Sequence, residues 1–381
     1  MPSLRRCACL LLLSSAFAAC DSSAPPATPD AGDPNPDFDR VLGPKLQAAL
    51  DDGNAEKPCW GMTAAVWVPG LGLWRGANGL DDLQAETPMP RDGIFRIGSI
   101  TKTFVATVFL QLEAEGKVSL DDTLDHYVDQ YPGAKDMTMR QVMSHTAGVY
   151  NYSDNLVFLN DAIAQPTKVW KPAELLAYAA SQEPYFEPGQ GYHYSNTDYI
   201  LAGLAVEKAT GNPIHVEIRR RILDKLDLRE TFFAGGNAEA APPAPPPLVH
   251  GYDDTGRDLS FFYDMSASWA AGAIASSARD VTRFMRALLE GELLDATRLA
   301  EMRTVLGGGK YGIGLERSKE TLGTGWGHDG IVLGYWTQST HFEPGGETVT
   351  LFCDVFTLPK NKPLAKAWAN LQKVLATRTG Q

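Results

Sequence analysis

Three short motifs in the sequence combine residue types that could transfer an acyl group. The first is S-I-T-K at 99–102, in which a hydroxyl and an amine stand three residues apart. On a helix this spacing puts both side chains on one face, so Lys102 would reach the Ser99 hydroxyl. A helix N-terminus also offers unpaired backbone N–H groups to a developing oxyanion. A buried lysine has a lowered pKa and could accept the serine proton near neutral pH.

The other two motifs pair a phenol with an amide and an imidazole with a glycine. Residues 194–196 read Y-S-N and lie in a glycine-rich, aromatic stretch just before a helical run. A tyrosine hydroxyl acts as acid or base, and an asparagine amide holds a carbonyl. Residues 328–330 read H-D-G and are predicted at the start of a strand. There the histidine would shuttle or stabilise a proton, and the glycine would let a substrate backbone approach.

Each motif alone has an ordinary structural explanation. S-x-x-K occurs about once by chance in a chain of this length, and a serine at a helix start commonly caps the helix. A tyrosine beside a turn-forming asparagine, or a surface histidine, is equally common. The chain contains each motif once and in this order, so their combination is what indicates a catalytic site.

The elements around the motifs predict how they come together. Two strands joined by a Pro-Gly turn are predicted within 61–79, and a helix is predicted from Ser99 to Gly116. A mostly helical section follows, then two strands around a Pro-Gly-Gly turn within 331–356 and a final helix over 364–378. We therefore predict an α+β fold (an α/β sandwich): one antiparallel sheet of N- and C-terminal strands flanked by helices, with an inserted, mostly helical subdomain. The Pro-rich stretch at 242–249 is expected to be an extended surface loop.

The first residues predict export. The basic pair Arg5 and Arg6 precedes an apolar run that ends just before Cys20 and is too short to span a bilayer as a helix. The A-A-C ending at Cys20 resembles a lipobox, which would put a lipid on that cysteine, whereas A-F-A at 16–18 would give a freely secreted product. We expect a periplasmic or cell-surface lipoprotein, or alternatively a secreted soluble protein. The predicted organisation is a signal peptide (1–19), a lipid-anchor cysteine with a flexible linker (20–37) and one folded domain (38–381).

The composition excludes some partners and leaves one question open. With 46 acidic and 34 basic residues the net charge is -12, which repels nucleic acid and anionic lipid. The seven histidines lack metal-ligand spacing, and no dinucleotide or phosphate-loop glycine pattern occurs, so no metal or cofactor is expected. Cys59 and Cys353 remain as a pair in the folded domain, either as a disulfide or as two buried thiols.

Taken together, the motifs resemble the penicillin-binding protein and β-lactamase superfamily. Within it the chain is most similar to the class C β-lactamase-like branch and to secreted D-alanyl-D-alanine carboxypeptidases, in which H-x-G replaces K-T-G. The resemblance covers about residues 40 to 375 and includes these further segments: FRIGSITKTF, MRQVMSHTAGVYNY, YSNTDYILAGLAVEKATG, ASWAAGAIASS, YGIGLE and GHDGIVLGYW.

This resemblance implies the following catalytic residues: Ser99 as the acylated nucleophile, Lys102 as its proton partner, Tyr194 to activate Ser99 and protonate the leaving group, and His328 on the opposite wall. It also implies that Asn196 holds the acyl-side carbonyl and that the backbone N–H groups of Ser99 and Ile331 form the oxyanion hole. Gly330 would lie beside the substrate, and Trp269 would either form part of the substrate wall or pack in the core. His145 and Gly148 are expected to shape the cleft floor without reacting.

The chain departs from these carboxypeptidases where they bind the substrate's C-terminal carboxylate. They read H-T-G-T, whereas Asp329 and Ile331 occupy the two threonine positions here. Glu316 follows Leu315, and Arg317 comes only afterwards. A carboxylate at this place would repel a substrate carboxylate by ~1–4 kcal/mol, depending on burial. The acyl-enzyme machinery is therefore predicted intact, with weakened recognition of free C-terminal carboxylates and of the equivalent carboxylate of penicillins.

The leading hypothesis is an exported, monomeric serine hydrolase with D-alanyl-D-alanine carboxypeptidase-like activity. Its substrate would be a small molecule, peptide or ester, including a peptidoglycan stem peptide, and it would touch the membrane only through lipid on Cys20. The alternatives are an esterase or D-amino-acid amidase or aminopeptidase, a class C-like β-lactamase, and a penicillin-binding-type protein that only binds.

Overall fold

The computed structural model describes residues 38–235, 247–356 and 364–379. The predicted signal peptide, the lipid-anchor site at Cys20 and the linker lie outside the described residues, as do residues 242–246 of the Pro-rich stretch. Within the described ranges, none of the helices has the length and apolar character needed to cross a membrane.

The described residues form strands and helices with the following bounds. The strands are β1 (Gly61–Val68), β2 (Gly72–Asp82), β3 (Thr87–Pro88), β4 (Phe95–Arg96), β5 (Phe232–Phe233), β6 (Tyr252–Asp253), β7 (Ile274–Ser276), β8 (Glu316–Glu320), β9 (Gly323–Val332), β10 (Tyr335–Pro344), β11 (Thr348–Cys353) and β12 (Val355–Phe356). The helices are α1 (Gly43–Gly53), α2 (Thr101–Ala114), α3 (Met139–Met143), α4 (Leu156–Ala164), α5 (Pro172–Ala180), α6 (Asn196–Thr210), α7 (Ile214–Ile218), α8 (Asp224–Leu226), α9 (Trp269–Gly272), α10 (Ala278–Leu289), α11 (Ala296–Met302) and α12 (Ala365–Thr379).

The main sheet joins the two ends of the chain. Its seven strands run in the order β3-β2-β1-β11-β10-β9-β8, with every neighbouring pair antiparallel. The predicted β1–β2 hairpin and the pair β10–β11 around the Pro-Gly-Gly turn are both present, and the predicted α+β fold is confirmed. Every position of β1 is buried except one that is partly so, because both faces of the sheet are covered by helices.

Helices from the two chain ends cover one face of this sheet. Leu46 of α1 and Leu371 of α12 share a core cluster with Val66 of β1. On the other face lies α10, which packs against α2 through stacked rings of Phe104 and Phe284, 3.6 Å apart between centroids. The inserted, mostly helical region packs beyond α2, and it places the Y-S-N segment against the first turn of that helix.

A disulfide closes the N-terminal and C-terminal parts of the sheet together. Cys59, just before β1, is bonded to Cys353 at the end of β11, with 5.7 Å between their Cα atoms. Of the two alternatives that the sequence left open, the structure therefore has the bonded pair.

One sequence prediction on the C-terminal strands was wrong. The H-D-G motif lies near the end of β9 rather than at its start, because the preceding G-T-G-W-G segment is itself paired with β10. Of the Pro-rich stretch the structure describes residues 247–249, where Pro247 is exposed as expected, whereas Leu248 bridges Ile94 and Val249 is buried.

Candidate active site

Ser99 lies in a single 3₁₀ turn, Gly98–Ile100, that leads directly into α2. Gly98 has a φ of +51°, and a Cβ added there would lie 2.9 Å from the backbone nitrogen of Ile331. Only glycine fits at such a close approach between turn and strand. This turn holds the Ser99 hydroxyl at the edge of β9, in a partly buried position.

Lys102 contacts Ser99 as the three-residue spacing predicts. Its Nζ lies 2.9 Å from Ser99 Oγ, 2.8 Å from Asn196 Oδ1 and 2.8 Å from the carbonyl oxygen of Ala271. The side chain is fully buried, and desolvation lowers the pKa of Lys102 well below its ordinary value, although the charges of Asp198 and Glu316 raise it. A neutral amine at this position is able to accept the serine proton.

Tyr194 faces Ser99 from a buried position. Burial raises the pKa of Tyr194 well above its ordinary value, while the Ser99 hydroxyl lowers it. Lys102 Nζ lies 4.8 Å from the centroid of the Tyr194 ring. Among the residues that the structure describes, the Tyr194 hydroxyl has no partner at full hydrogen-bond geometry. The raised pKa keeps the phenol protonated at neutral pH, which suits a proton donor better than a base.

His328 is bound to a tyrosine that the sequence analysis did not single out. Its Nδ1 lies against the carbonyl of Asp329, which can only accept, so Nε2 accepts from the Tyr311 hydroxyl at 2.9 Å. Burial, with a further contribution from Lys102, lowers the pKa of His328 to about 3. The imidazole is therefore neutral at ordinary pH and contacts Ser99 only through intervening groups. Tyr311 begins the Y-G-I-G-L-E segment, so a family pattern was its only signal.

A buried acid–imidazole pair supports the other side of Tyr194. His145 Nδ1 and Asp198 Oδ2 are 2.8 Å apart, and both side chains are almost fully inaccessible. The His145 ring lies 4.4 Å from the Tyr194 ring and 4.5 Å from the Tyr311 ring. Burial lowers the pKa of His145 and raises that of Asp198, so both shifts favour a neutral pair. Asp198 lies 53 residues from His145, and no sequence signal connected them.

We call five side chains the aromatic cluster: His145, Tyr194, Tyr199, Tyr311 and His328. His145, expected at the cleft floor, packs against Tyr194, and a Cβ on Gly148 would lie 1.9 Å from the carbonyl oxygen of Phe186. The cluster forms one wall beside Ser99.

The end of β9 presents backbone groups to Ser99. A Cβ on Gly98 would touch both the nitrogen and the oxygen of Ile331, so both atoms face the 3₁₀ turn. In an antiparallel strand the N–H and C=O of one residue point to the same edge, and β8 pairs with β9 only as far as Gly327. The Ile331 N–H is therefore aimed into the site, where an oxyanion donor is needed. Gly330 is required beside it, because a Cβ there would lie 1.9 Å from the Ile97 oxygen.

Asn196 and a large cavity lie on the other side of Ser99. Asn196 begins α6; its Oδ1 accepts from Lys102, and its Nδ2 donates to Ser153 Oγ at 2.9 Å. We call the space of about 400 Å³ in front of these groups the acyl cavity. It is lined by Gly98, Ser99, Tyr152, Ser153, Phe158, Leu159, Ala162, Ile163, Asn196, Phe262, Tyr263, Ala267, Ser268, Ala271, Gly272, Ile331, Val332 and Leu333.

Trp269 packs in the core, which is one of the two roles that the sequence left open for it. Its side chain is 8% exposed, and its ring lies 2.8 Å from where a Cβ on Gly203 of α6 would be. Its chain neighbours Ser268 and Ala271 line the acyl cavity instead. The substrate wall predicted at Trp269 is thus made by the residues around it.

Glu316 brings an acid close to the aromatic cluster. It is the first residue of β8 and pairs with Gly327, next to His328. Its charge raises the pKa of Lys102, Tyr194 and Tyr311. Over the described ranges, no group of three or more His, Cys, Asp or Glu side chains could hold a metal ion.

Comparison with known proteins matches residues 46–371 to the Beta-lactamase family. The sequence is 28% identical over 320 residues to Esterase EstB of Burkholderia gladioli, covering 75% of this chain and 78% of that protein. It is 28% identical over 229 residues to a Beta-lactamase of Psychrobacter immobilis, covering 60% of this chain and 53% of that protein. The chain thus spans only about half the length of the latter.

The chain is also similar to solved structures. The chain is similar to a D-stereospecific amidohydrolase from Streptomyces sp., at 32% identity and a TM-score of 0.72, over 82% of this chain and 94% of that one. It is also similar to the D-amino acid amidase of Ochrobactrum anthropi SV3, at 26% identity and a TM-score of 0.79, over 89% of this chain and 99% of that one.

Proposed function

Because the chain belongs to the Beta-lactamase family and is a serine hydrolase of that superfamily, we propose that it hydrolyses esters and amides whose leaving group carries no free carboxylate. The observation that carries this proposal is the 2.9 Å contact between Ser99 Oγ and the buried amine of Lys102, beside an acid at Glu316. The contact supports the chemistry, and the acid supports the choice of substrate.

In the acylation step, Ser99 Oγ attacks the carbonyl carbon while Lys102 takes its proton. The backbone N–H groups of Ser99 and Ile331 hold the oxyanion. When the intermediate collapses, the bond to the leaving oxygen or nitrogen breaks, Tyr194 protonates that atom, and the proton on Lys102 returns to Tyr194. The resemblance implied that Tyr194 activates Ser99. The raised pKa of Tyr194 and the lowered pKa of Lys102 favour the lysine for this step instead.

In the deacylation step, water attacks the Ser99 ester. Lys102 accepts a proton from this water, the bond between the acyl carbon and Ser99 Oγ breaks, and the proton on Lys102 passes to Ser99 Oγ as the carboxylic acid product leaves. His328 is assigned a positioning role here, because its neutral ring holds Tyr311 and the end of β9 rather than the reacting atoms.

Two acids disfavour the carboxypeptidase hypothesis for the leaving side. Glu316 and Asp329 stand where a substrate's C-terminal carboxylate would be bound in the family that the sequence resembles. The Esterase EstB and D-amino acid amidase similarities support ester and amide substrates instead. A peptidoglycan stem peptide therefore becomes the second candidate, and a β-lactam the third.

Export remains part of the proposal. The Cys59–Cys353 disulfide supports an oxidising compartment, since cytosolic proteins rarely keep such bonds. Lipid on Cys20 and a monomeric state stay predictions from the sequence.

The test compares two peptides that differ in one group. We expect N-acyl-D-Ala-D-Ala amide to be cleaved with a kcat/KM at least about tenfold higher than that of the free acid, because the acid is repelled. Ser99→Ala serves as the inactive control, with 4-nitrophenyl acetate as a general ester substrate. Faster cleavage of the free acid would establish the carboxypeptidase instead. No turnover and no acyl-enzyme by intact-protein mass spectrometry would leave a binding protein.

A further inference from the structure

We infer that the acyl half of the substrate is a bulky, apolar and uncharged group that occupies the acyl cavity under helix α4. This inference rests on the proposed function, because the same serine would be acylated. It adds the class of acyl group, which the catalytic residues do not determine.

Most of the lining of the acyl cavity is apolar. Aromatic and aliphatic side chains make much of its walls, among them Phe158, Phe262 and Val332. Besides Ser99, its polar side chains are Asn196 and Ser153, which bond to each other, Tyr152, which donates to the carbonyl oxygen of Ala267, and Ser268 and Tyr263. A pocket of about 400 Å³ is within the range that buries a drug-sized ligand. One end of this cavity therefore orients a carbonyl, and the rest accommodates hydrocarbon.

None of the side chains lining the acyl cavity is charged at neutral pH. Its two ionisable lining groups, Tyr152 and Tyr263, are phenols whose pKa is raised by burial. Lys102 lies beneath Ser99, and the charge of Arg96 acts on Tyr263. The lining therefore offers no carboxylate to a bound ammonium group.

The acids next in sequence to the lining residues have other partners. Asp154 accepts from Asn151 and from the Tyr185 hydroxyl, each at 3.0 Å. Asp161, next to Ala162, accepts from the Tyr178 hydroxyl at 2.6 Å, and Asp264 accepts from the backbone N–H of Ser266 at 2.8 Å. A free α-ammonium group entering the cavity would lose its hydration without gaining a carboxylate, which is strongly unfavourable. The cavity therefore selects against acyl groups with a free amine and separates this chain from enzymes that act on D-amino acid amides.

Helix α4 supplies the specificity-determining residues at the cavity mouth. Leu159 and Ile163 line the cavity, yet they are 39% and 58% exposed. An acyl group bound there would remove both side chains from water, which favours binding in proportion to the apolar surface that is buried. Exposed aliphatic side chains at the mouth of an apolar cavity are typical of a ligand-binding rim.

The helix is fixed in place from behind. Phe158 packs edge-on against Tyr152, Trp170 and Tyr178, with centroid distances of 4.9, 5.3 and 5.4 Å. Asn155 caps its first turn by accepting from the backbone N–H of Val157 at 2.9 Å. The positions of Leu159 and Ile163 are therefore set before any substrate binds.

The first experiment measures kcat/KM for 4-nitrophenyl octanoate and 4-nitrophenyl acetate. We expect the octanoate-to-acetate ratio to exceed about ten, since several methylenes become buried. Leu159→Asp and Ile163→Asp should each lower that ratio at least about tenfold, because a carboxylate would lie against hydrocarbon. Leu156→Asp is the matched control: Leu156 is 72% exposed on the same helix but does not line the cavity. A ratio below one in the unmodified protein, or an equal loss in Leu156→Asp, overturns the inference.

The second experiment tests charge. N-acetyl-D-phenylalanine 4-nitroanilide should be cleaved at least about tenfold faster than the free-amine anilide, and the reverse preference overturns the inference. If no substrate turns over, the proposed function fails, and binding of octanamide to the Ser99→Ala protein, followed by NMR saturation transfer, decides the inference by itself. Binding that weakens when Leu159→Asp is added sustains the inference, and no binding refutes it.

Discussion

On one side of Ser99 lies the acyl cavity, whose lining carries no charged side chain and whose rim on helix α4 is open to solvent, whereas on the other side titratable groups are buried against each other. The aromatic cluster, with Lys102 and the acid of Asp198, is shielded from water, and desolvation is the main cause of each pKa shift there. The acyl cavity has only two titratable lining groups, the phenols of Tyr152 and Tyr263, and it keeps exposed side chains on helix α4. The Ser99 hydroxyl therefore lies between a group of buried titratable side chains and a mostly apolar cavity.

This difference shows why the two tasks use separate parts of the fold. Shifting the pKa of a lysine requires that water be excluded from it permanently. Binding and releasing a substrate requires a surface that water reaches when the substrate leaves. The cluster accordingly lies in the interior, whereas the cavity lies between the buried helix α9 and helix α4, whose side chains Leu159 and Ile163 reach the surface.

Among the substitutions proposed for the two sides of Ser99, Lys102→Met should have the largest effect on activity. It replaces a fully buried amine by an apolar side chain of similar length, so the fold should be kept while the proton acceptor is lost. We expect kcat/KM for 4-nitrophenyl acetate to fall by about a thousandfold or more. Circular dichroism and thermal unfolding check that the variant is folded. A fall of less than tenfold would mean that another group activates Ser99.

Tyr194→Phe should slow the cleavage of amides more than that of activated esters. A 4-nitrophenolate leaves without a proton, whereas an amide nitrogen must be protonated, so the loss should be about a hundredfold for an N-acyl amide and only a few-fold for the nitrophenyl ester. Both rates are measured on the same preparation, with Tyr192→Phe as the control. Equal losses for the two substrates would assign Tyr194 to activation of Ser99 rather than to the leaving group.

The dependence of kcat/KM on pH should distinguish Lys102 from His328 as the titrating base. Because the amine form of Lys102 is the active one, kcat/KM should rise with pH through its lowered pKa and then level off. His328, with a pKa of about 3, should add no step near 6.5. The profile of His328→Gln should therefore keep the same acid limb. An inflection near pH 6.5 that disappears in that variant would show that His328 titrates in the working range.

Glu316→Gln should give the smallest change, a few-fold. Removing this charge withdraws a cause that raises the pKa of Lys102, so the acid limb should move to lower pH. It should also improve cleavage of N-acyl-D-Ala-D-Ala with a free carboxylate by about two- to tenfold. Glu290→Gln, just after helix α10, removes the same charge away from the site. If both variants behave alike, local repulsion by Glu316 is not the reason for the substrate preference.

Much of the fold was visible in local patterns. Alternating apolar runs and a Pro-Gly turn predicted the β1–β2 hairpin, and helical periodicity predicted α2 and α12, because such signals lie within a few neighbouring residues. The position of His328 in its strand was misjudged for the opposite reason. Its glycine-rich preceding segment resembles a turn, and only pairing with β10 keeps it extended.

The sequence by itself determined the contact between Ser99 and Lys102, since a spacing of three residues on a helix brings two side chains together whatever else the chain does. Only the tertiary structure decided what surrounds that pair. Asn196 and Ala271 reach Lys102 from 94 and 169 residues away, and the acyl cavity is shared by segments from five distant parts of the chain. Contacts at such separations depend on how the elements pack, and no local pattern encodes them.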